Sequence, residues 1–280
     1  MSAAPPDRST VSSAHAEAIL RWHADLGLDA VVGDAAVDRF ALEADRKAER
    51  QQAVASKAPK PSSASSRPAN AAARAADETP PAPSVDLSTL STVEEVTAAL
   101  EAYDGCTLKP GATNLCHYDG NPDARIALIG EAPGRDEDLQ GKPFVGRAGQ
   151  LLDLMFGAIG LDRTKVFITN MVFWRPPGNR DPSTAEIAAC RPFLDRTIEL
   201  IDPDIVILCG KSAAGTLLDT RQGITRLRGT WAEPMIGGET RRSIAMLHPA
   251  YLLRQPLQKK FAWQDMLALQ KAIEELSDDA

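Results

Sequence analysis

The stretch 126–149 reads IALIGEAPGRDEDLQGKPFVGRAG. Its first five residues, Ile126 to Gly130, form an unbroken apolar run closed by glycine, the pattern of a strand covered on both faces. The chain then breaks into a loop carrying Pro133, Gly134, Gly141, Pro143 and Gly146. This is longer than a minimal strand-to-helix turn and is expected to line something. In open α/β sheets ligands sit beyond the carboxyl ends of the strands, which is where the loop must lie. It offers two acids (Glu131, Asp136), one ring (Phe144) and three cations (Arg135, Lys142, Arg147). We read it as the floor of an active site.

Working outward, apolar runs recur about every forty residues, at 126–130, 166–171, 205–209 and 243–247. Helical segments separate them. The first begins after Gly146, with AGQLLDLMFGAIG. The second opens on a capping box, Ser183-x-x-Glu186, and continues an apolar face through Ile187, Phe193, Leu194 and Ile198. A third runs from 211 to 218, and a fourth, from about 259 to 276, closes the domain; an earlier helix, VEEVTAALEAY, leads to Cys106. Strand alternating with helix predicts a parallel sheet with helices on both faces, a three-layer α/β/α fold around a central four-stranded parallel sheet. Residues 226–239 read as a turn or short hairpin insert.

The 280 residues divide unevenly. Residues 1–52 carry a partial helical face (Ile19, Leu20, Trp22, Leu26) and read as a small helical segment. Residues 53–90 are rich in Ala, Ser and Pro with almost no large apolar residue, too little to bury, and read as a disordered linker. That leaves 91–280 as the main domain. No apolar run approaches the roughly 18 residues that span a bilayer, and the first ten residues lack a signal-peptide pattern. A soluble protein of the cytoplasm is expected. A formal net charge of −7 argues against a generic polycation for nucleic acid, while leaving room for local basic patches. The four cysteines, Cys106, Cys116, Cys190 and Cys209, all lie beyond the linker. Disulfides are their less favoured use in the cytosol, so core thiols and metal ligands both stay open.

The residues just after each strand are the informative ones. They are Glu131-Ala132-Pro133-Gly134, then Thr169-Asn170 leading into FWRPPGNRDPS, then Gly210-Lys211-Ser212, then His248-Pro249-Ala250-Tyr251-Leu252-Leu253-Arg254. Strand polarity brings all of them to one rim. A carboxylate, a carboxamide, an aromatic ring and an imidazole on one rim suit recognition of a small, polar, planar ring. GEAPG…PFVG, the Thr-Asn after the second strand and HPAYLLR after the fourth together resemble the family-four uracil-DNA glycosylases, the bacterial and archaeal type with an iron–sulfur cluster. The resemblance covers about residues 100 to 275, with the motifs in the right order on the right elements.

The resemblance implies a monofunctional hydrolase that flips uracil out of DNA, cleaves its N-glycosidic bond with water and leaves an abasic site. Extracting a nucleotide costs a few kcal/mol, and stacking returns about 1–3 kcal/mol per base, which makes Phe144 the candidate platform. Asn170 is the candidate reader, because one carboxamide can accept from uracil N3–H and donate to O4. Cytosine presents the reverse pattern. His248 is expected near O2, where negative charge develops and a donor is worth about 3–4 kcal/mol. Glu131 is read either as the group that positions water or as a clasp on loop backbone. In better-known relatives an Asp orients the water from the next position; here, as in family four, that position is Ala132. Gly134 stands where other families place a thymine-blocking aromatic. Gly130 and Ala132 complete the expected substrate wall. Expected DNA contacts are Lys142, Arg147, Arg175, Arg180, Lys211 and Ser212, with Leu252 and Arg254 as the wedge that fills the gap in the stack.

The same resemblance implies a structural [4Fe–4S] cluster with four thiolate ligands, which in this chain would be Cys106, Cys116, Cys190 and Cys209. Nine residues separate Cys106 from Cys116, a departure from the family's tight C-x2-C. His117 is read as structural. The expected partner is uracil-containing DNA, with no membrane, for a monomer associated with the nucleoid. Other classes fit less well. A superfamily relative that traps uracil-DNA covalently uses a histidine in a basic loop, and ITRLRGTW has none. A phosphate-binding enzyme would need G-x-x-x-x-G-K-[ST] or G-x-G-x-x-G, neither present. An electron-transfer protein would need an exposed, redox-active cluster.

Overall fold

A computed structural model describes residues 86–278. The 1–52 segment and nearly all of the 53–90 linker lie outside the described residues. Within them, a six-stranded sheet carries β1 (Tyr118–Gly120), β2 (Ile126–Gly130), β3 (Phe167–Asn170), β4 (Ile205–Cys209), β5 (Trp231–Ala232) and β8 (Ser243–Met246) in the order β1-β3-β2-β4-β8-β5. The four expected strands pair in parallel, and β1 and β5 add antiparallel edges. Short β6 (Met235–Ile236) and β7 (Glu239–Thr240) form a separate hairpin, as the insert at 226–239 suggests.

Each central strand is buried throughout and alternates its side chains between two cores. Ala127, Ile129, Val206 and Leu208 meet α1 (Val93–Ala102), α4 (Thr184–Ile201) and α5 (Lys211–Leu217). Ile126, Leu128, Ile205, Ile207 and Cys209 meet α3 (Arg147–Gly157) and α8 (Lys259–Asp278). These are the outer layers of an α/β/α stack. Among the described residues no helix is long and apolar enough to cross a membrane. Both predicted bonds of the Ser183–Glu186 capping box form at the head of α4, and Thr92 with Glu95 builds a second one on α1. The packed domain starts earlier than residue 91: Leu87 and Leu90 lie against the first core, and Arg196 holds the Leu90 carbonyl.

The strand order fixes where a ligand can sit. The chain leaves β2 for β3 on one side and returns across β2 to β4 on the other, so β2 marks the switch point, where a crevice opens at the carboxyl ends. The loop leaving β2 is not all coil. It contains α2 (Arg135–Gln140), closed by Gly141 in the left-handed region. RDEDLQ has no apolar stripe, so no periodicity announces this helix.

Candidate active site

Beyond the carboxyl ends of β2, β3, β4 and β8 lies a cavity of about 550 Å³, lined among others by Glu131, Phe144, Asn170, Lys211 and His248. That volume is within the range of ordinary ligand pockets. The four strand ends do converge. Gly130 stands opposite Asn170 in the β2–β3 register, and the pairing runs on past both strands, with Met171 N–H donating to the Gly130 carbonyl (3.0 Å) and Val172 N–H to that of Glu131 (3.3 Å).

Gly130 is required by close approach. A Cβ there would lie 2.6 and 2.7 Å from two carbons of the Phe144 ring and nearer still to Asn170 Oδ1. Two cavity groups thus lean on one bare Cα. Asn170 is 1% exposed, lines the cavity, and its carboxamide has no hydrogen-bond partner among the described residues. Among the described residues the fully buried side-chain polar atom without a partner is Arg241 Nε, so the Asn170 amide reaches the cavity and is open to a ligand there.

Phe144 packs its ring on that of His248, centroids 5.3 Å apart and inclined 28°. It belongs to the second hydrophobic core and also lines the cavity. His248 caps α7 (Pro249–Arg254), its Nδ1 accepting from Ala250 N–H at 3.1 Å. With Nδ1 an acceptor, the ring proton of neutral His248 sits on Nε2. Burial, seconded by the charge of Arg254, pushes its pKa down to about 4, so the neutral form holds at physiological pH. Gly210, at φ +97°, makes room for the imidazole, since a Cβ would come within 3.1 Å of His248 Cβ. Glu131 lines the cavity, and burial raises its pKa; nearby Asp181 adds to the rise and Lys211 opposes it. Ala132 is also on the wall.

The expected DNA contacts divide into two groups. Lys142 pairs with Asp119 (3.2 Å), Arg175 donates to Asn179 (2.7 Å), and Arg180 grips Glu186 through both nitrogens. Arg147, Lys211 and Arg254 are exposed and have no protein hydrogen bond or ion pair among the described residues; Lys211 and Arg254 line the cavity. Ser212 sits beside Lys211 in α5 but off the cavity wall. One wedge assignment is corrected. Leu252 is 1% exposed and packs with Leu247 and Ala262, because the short α7 turns that face inward. Its neighbour Leu253 is 37% exposed and stands next to Arg254.

Two residues behind the site went unnoticed in the sequence. Glu137 accepts from the N–H groups of Val145 (3.0 Å) and Gly146 (2.9 Å). Arg163 donates to the carbonyls of Phe144 and Pro143 while paired with Asp119 (2.5 Å) and Asp153 (2.8 Å). Both are surface-type residues, separated from what they hold by 8 and 9 positions for Glu137 and by 19 and 20 for Arg163, and no local pattern marks them.

The cysteines do not meet as expected. Cys106 and Cys190 are buried with their sulfurs 3.9 Å apart. Cys116 donates instead to the Glu137 carbonyl at 3.1 Å. Cys209 follows Ile205 and Ile207 onto the α3/α8 face, among Leu128, Leu152, Phe156 and Met246, whereas Cys106 and Cys190 belong to the opposite core. Strand parity puts the sheet between them. No group of three or more His, Cys, Asp or Glu among the described residues is placed to hold a metal ion. The four-thiolate ligand set is therefore not assembled. His117, read as structural, is so: its ring nitrogens lie 2.7 Å from Thr97 Oγ1 and 2.9 Å from Thr197 Oγ1, bridging α1 and α4.

Comparison with known proteins agrees with this geometry. The model of the uracil DNA glycosylase superfamily matches residues 117–268. A type-4 uracil-DNA glycosylase of Archaeoglobus fulgidus is 38% identical over 171 residues, covering 60% of this chain and 86% of that protein. One of Thermotoga maritima is 40% identical over 163 residues, 58% of this chain and 83% of the relative. One of Saccharolobus solfataricus is 40% identical over 173 residues, 60% and 80%. The aligned region contains every strand end that lines the cavity, and the chain belongs to the uracil-DNA glycosylase superfamily, within its type-4 group.

Proposed function

We propose that the cavity receives a uracil nucleotide turned out of DNA, and that the chain hydrolyses the bond between uracil N1 and the sugar C1′, leaving an abasic site for repair. The observation that carries this reading is Asn170: a buried carboxamide without a protein partner, opening on the same cavity as a neutral imidazole. Its oxygen accepts from uracil N3–H and its NH2 donates to O4. Cytosine leaves both unmatched, and a site built on such pairing discriminates by on the order of 10⁴ or more.

As the C1′–N1 bond breaks, its electron pair moves onto the base and spreads to O2. His248 Nε2–H donates a hydrogen bond to that oxygen. An imidazole whose cation forms only near pH 4 stabilises the leaving anion as a fixed dipole and needs no proton of its own to spend. Water adds to C1′ from the side of Glu131, whose carboxylate takes its proton; the proton ends on the departed base. Phe144 supplies the apolar wall against which the base is laid. Arg147, Lys211 and Arg254 meet the phosphates, Leu253 with Arg254 forms the wedge, and Lys142, Arg175, Arg180 and Ser212 flank the strand. The chain is taken to act as a monomer, on DNA in the cytoplasm. Residues 91–280, joined by 86–90, form the glycosylase unit.

The test is an oligonucleotide with one uracil, incubated with the protein and treated with alkali. Cleavage at uracil, and none at cytosine or thymine, is expected. An uncut strand, or a band that stays shifted under denaturing conditions, overturns turnover in favour of inert binding or covalent trapping.

A further inference from the structure

Type-4 glycosylases typically carry a [4Fe–4S] cluster, and such a cluster needs four converging ligands, ordinarily thiolates. The thiols of this chain cannot supply them in the fold described. Cys209 is across the sheet. Cys116 is turned away from the other thiols, its Sγ donating to the Glu137 carbonyl at 3.1 Å. Cys106 and Cys190 alone are neighbours, and their sulfurs are in van der Waals contact at 3.9 Å, closer than thiolates carried on two different irons of one cubane.

What surrounds that pair is packed protein. Three residues before Cys106, the first place of a C-x2-C spacing, stands Tyr103. Its ring packs on Phe193 with centroids 4.9 Å apart. It also folds back over Gly105, where a Cβ would lie 2.6 Å from ring carbon Cε2. Tyr103 and both thiols belong to one buried core. Leu108 is 2% exposed in the same core. The turn that a cluster would staple is closed by other means: Lys109 Nζ donates to the carbonyls of Glu101 (2.5 Å) and Tyr103 (3.1 Å) at the carboxyl end of α1. That is the place where a cation suits both the unpaired carbonyls and the helix dipole. His117, bridged between Thr97 and Thr197, ties α1 to α4.

We infer that this chain folds and works without an iron–sulfur cluster, the ground beside Cys106 and Cys190 being filled by an apolar plug of Tyr103, Leu108 and Phe193 and closed by Lys109. The inference rests on family membership and on where the thiols lie. It does not depend on the base being uracil.

The full chain, purified once in air and once anaerobically, is assayed for iron, acid-labile sulfide and zinc, scanned near 400 nm, and tested for uracil excision. Expected is iron, sulfide and zinc each far below one equivalent per chain in both preparations, with no band near 400 nm. Excision should be equal in the two and unchanged after anaerobic incubation with iron and sulfide. The double variant Cys106→Ala, Cys190→Ala should keep excision within about three-fold and its Tm within several degrees, the usual span for small buried truncations in a domain of this size. Tyr103→Ala, which empties the plug, should lower Tm further. Stoichiometric iron with sulfide, stoichiometric zinc, or excision that appears only after reconstitution overturns the inference. If the double variant fails to fold, the metal content of the native chain decides alone. A metal-free chain that excises nothing before or after reconstitution leaves the plug standing and sinks the glycosylase reading instead.

Discussion

One methyl group tests the heart of the pocket. Replacing Gly130 with alanine puts a Cβ 2.6 and 2.7 Å from Phe144 ring carbons and closer still to Asn170 Oδ1, against about 3.4–4 Å for ordinary contact. Neither neighbour can stay. The ring and the amide must each retreat by about 1 Å, or β2 must part from β3, where Gly130 and Asn170 are paired. Overpacking of this kind costs about 1–3 kcal/mol, which for a domain of this size lowers Tm by about 2–12 °C. The catalytic loss should be larger than the stability loss implies, because a 1 Å misplacement of a positioning group costs about 10²-fold. Single-turnover excision on a uracil oligonucleotide, with the protein shown folded by circular dichroism, should give a rate down about 100-fold. Gly157→Ala is the control. It has nothing within 4 Å of its added Cβ and closes α3, and it should leave the rate alone while holding or raising Tm. A Gly130→Ala variant with a rate within three-fold of the parent would mean that Asn170 and Phe144 do not grip the base.

Asn170→Ala and His248→Ala should each reduce excision by on the order of 10²–10³ while the melting curve survives, as followed by the same single-turnover assay. Because protonation of His248 occurs only near pH 4, the ratio of parent to His248→Ala rates, in which titration of Glu131 cancels, should hold down to about pH 5; a decline of that ratio with midpoint near pH 6.5 would place His248 in water. His117, with its pKa pushed to about 3 by burial, and His248 both have folded values below the ordinary 6.5. Their stabilising contributions are present above pH 6.5 and are lost as pH falls from there toward 4 and 3, at about 1.4 kcal/mol for each pH unit that separates the ordinary from the folded value. Thermal melts should therefore fall over that window, and His117→Gln should flatten the decline. Arg163→Ala should release the Phe144 carbonyl and lower the excision rate by about ten-fold, with Arg163→Lys recovering part of it. Charge-neutralising changes at Arg147, Lys211 or Arg254 should weaken DNA binding and each reduce the salt slope by about one; the same change at Lys142, already paired with Asp119, should do less.

The layered fold was legible because its parts announce themselves locally. Apolar runs at 126–130 and 205–209 are buried on both faces, and a capping box at Ser183 starts α4 where it should. The edges were not legible. β1 reads YDG and β5 is Trp231–Ala232, both too short for a period-two signal, and they exist because β3 and β8 have open sides to pair. The convergence of Asn170, His248 and Glu131 on one cavity was legible because strand polarity alone brings strand ends to one rim. Where the thiols lie was not legible for a related reason. Parity shows that Cys209 shares a face with Ile205 and Ile207, but which helix covers that face depends on how the chain crosses the sheet. α4, carrying Cys190, covers the other one. Leu252 and Leu253 pose the same question at α7, where adjacent residues on a helix point in different directions and only packing decides which is buried.

Phe144 shows how the pocket is held together. Its φ is +54°, a conformation that costs a bulky residue about 1–3 kcal/mol and persists only where surroundings impose it. Three constraints do so here. Glu137 binds the next two N–H groups, Arg163 binds its carbonyl, and Gly149 in α3 lets that carbonyl come closer than any side chain would allow, a Cβ there falling 2.9 Å from Phe144 Cα. The loop carrying the base's wall is thus fastened to α2, to the β3-side residue Arg163 and to α3 at once, and the ring is brought against His248 at 5.3 Å. A wall fixed in advance adds little ordering cost when the base arrives. On the proposed reading, the energy for extruding a nucleotide comes from contacts made to it by the open amide of Asn170, the Nε2–H of His248 and the unpaired cations Arg147, Lys211 and Arg254. Strain in the loop and unmet hydrogen bonds in the cavity belong to one arrangement, in which the protein holds its pocket rigid and leaves the polar edge of the base to complete it.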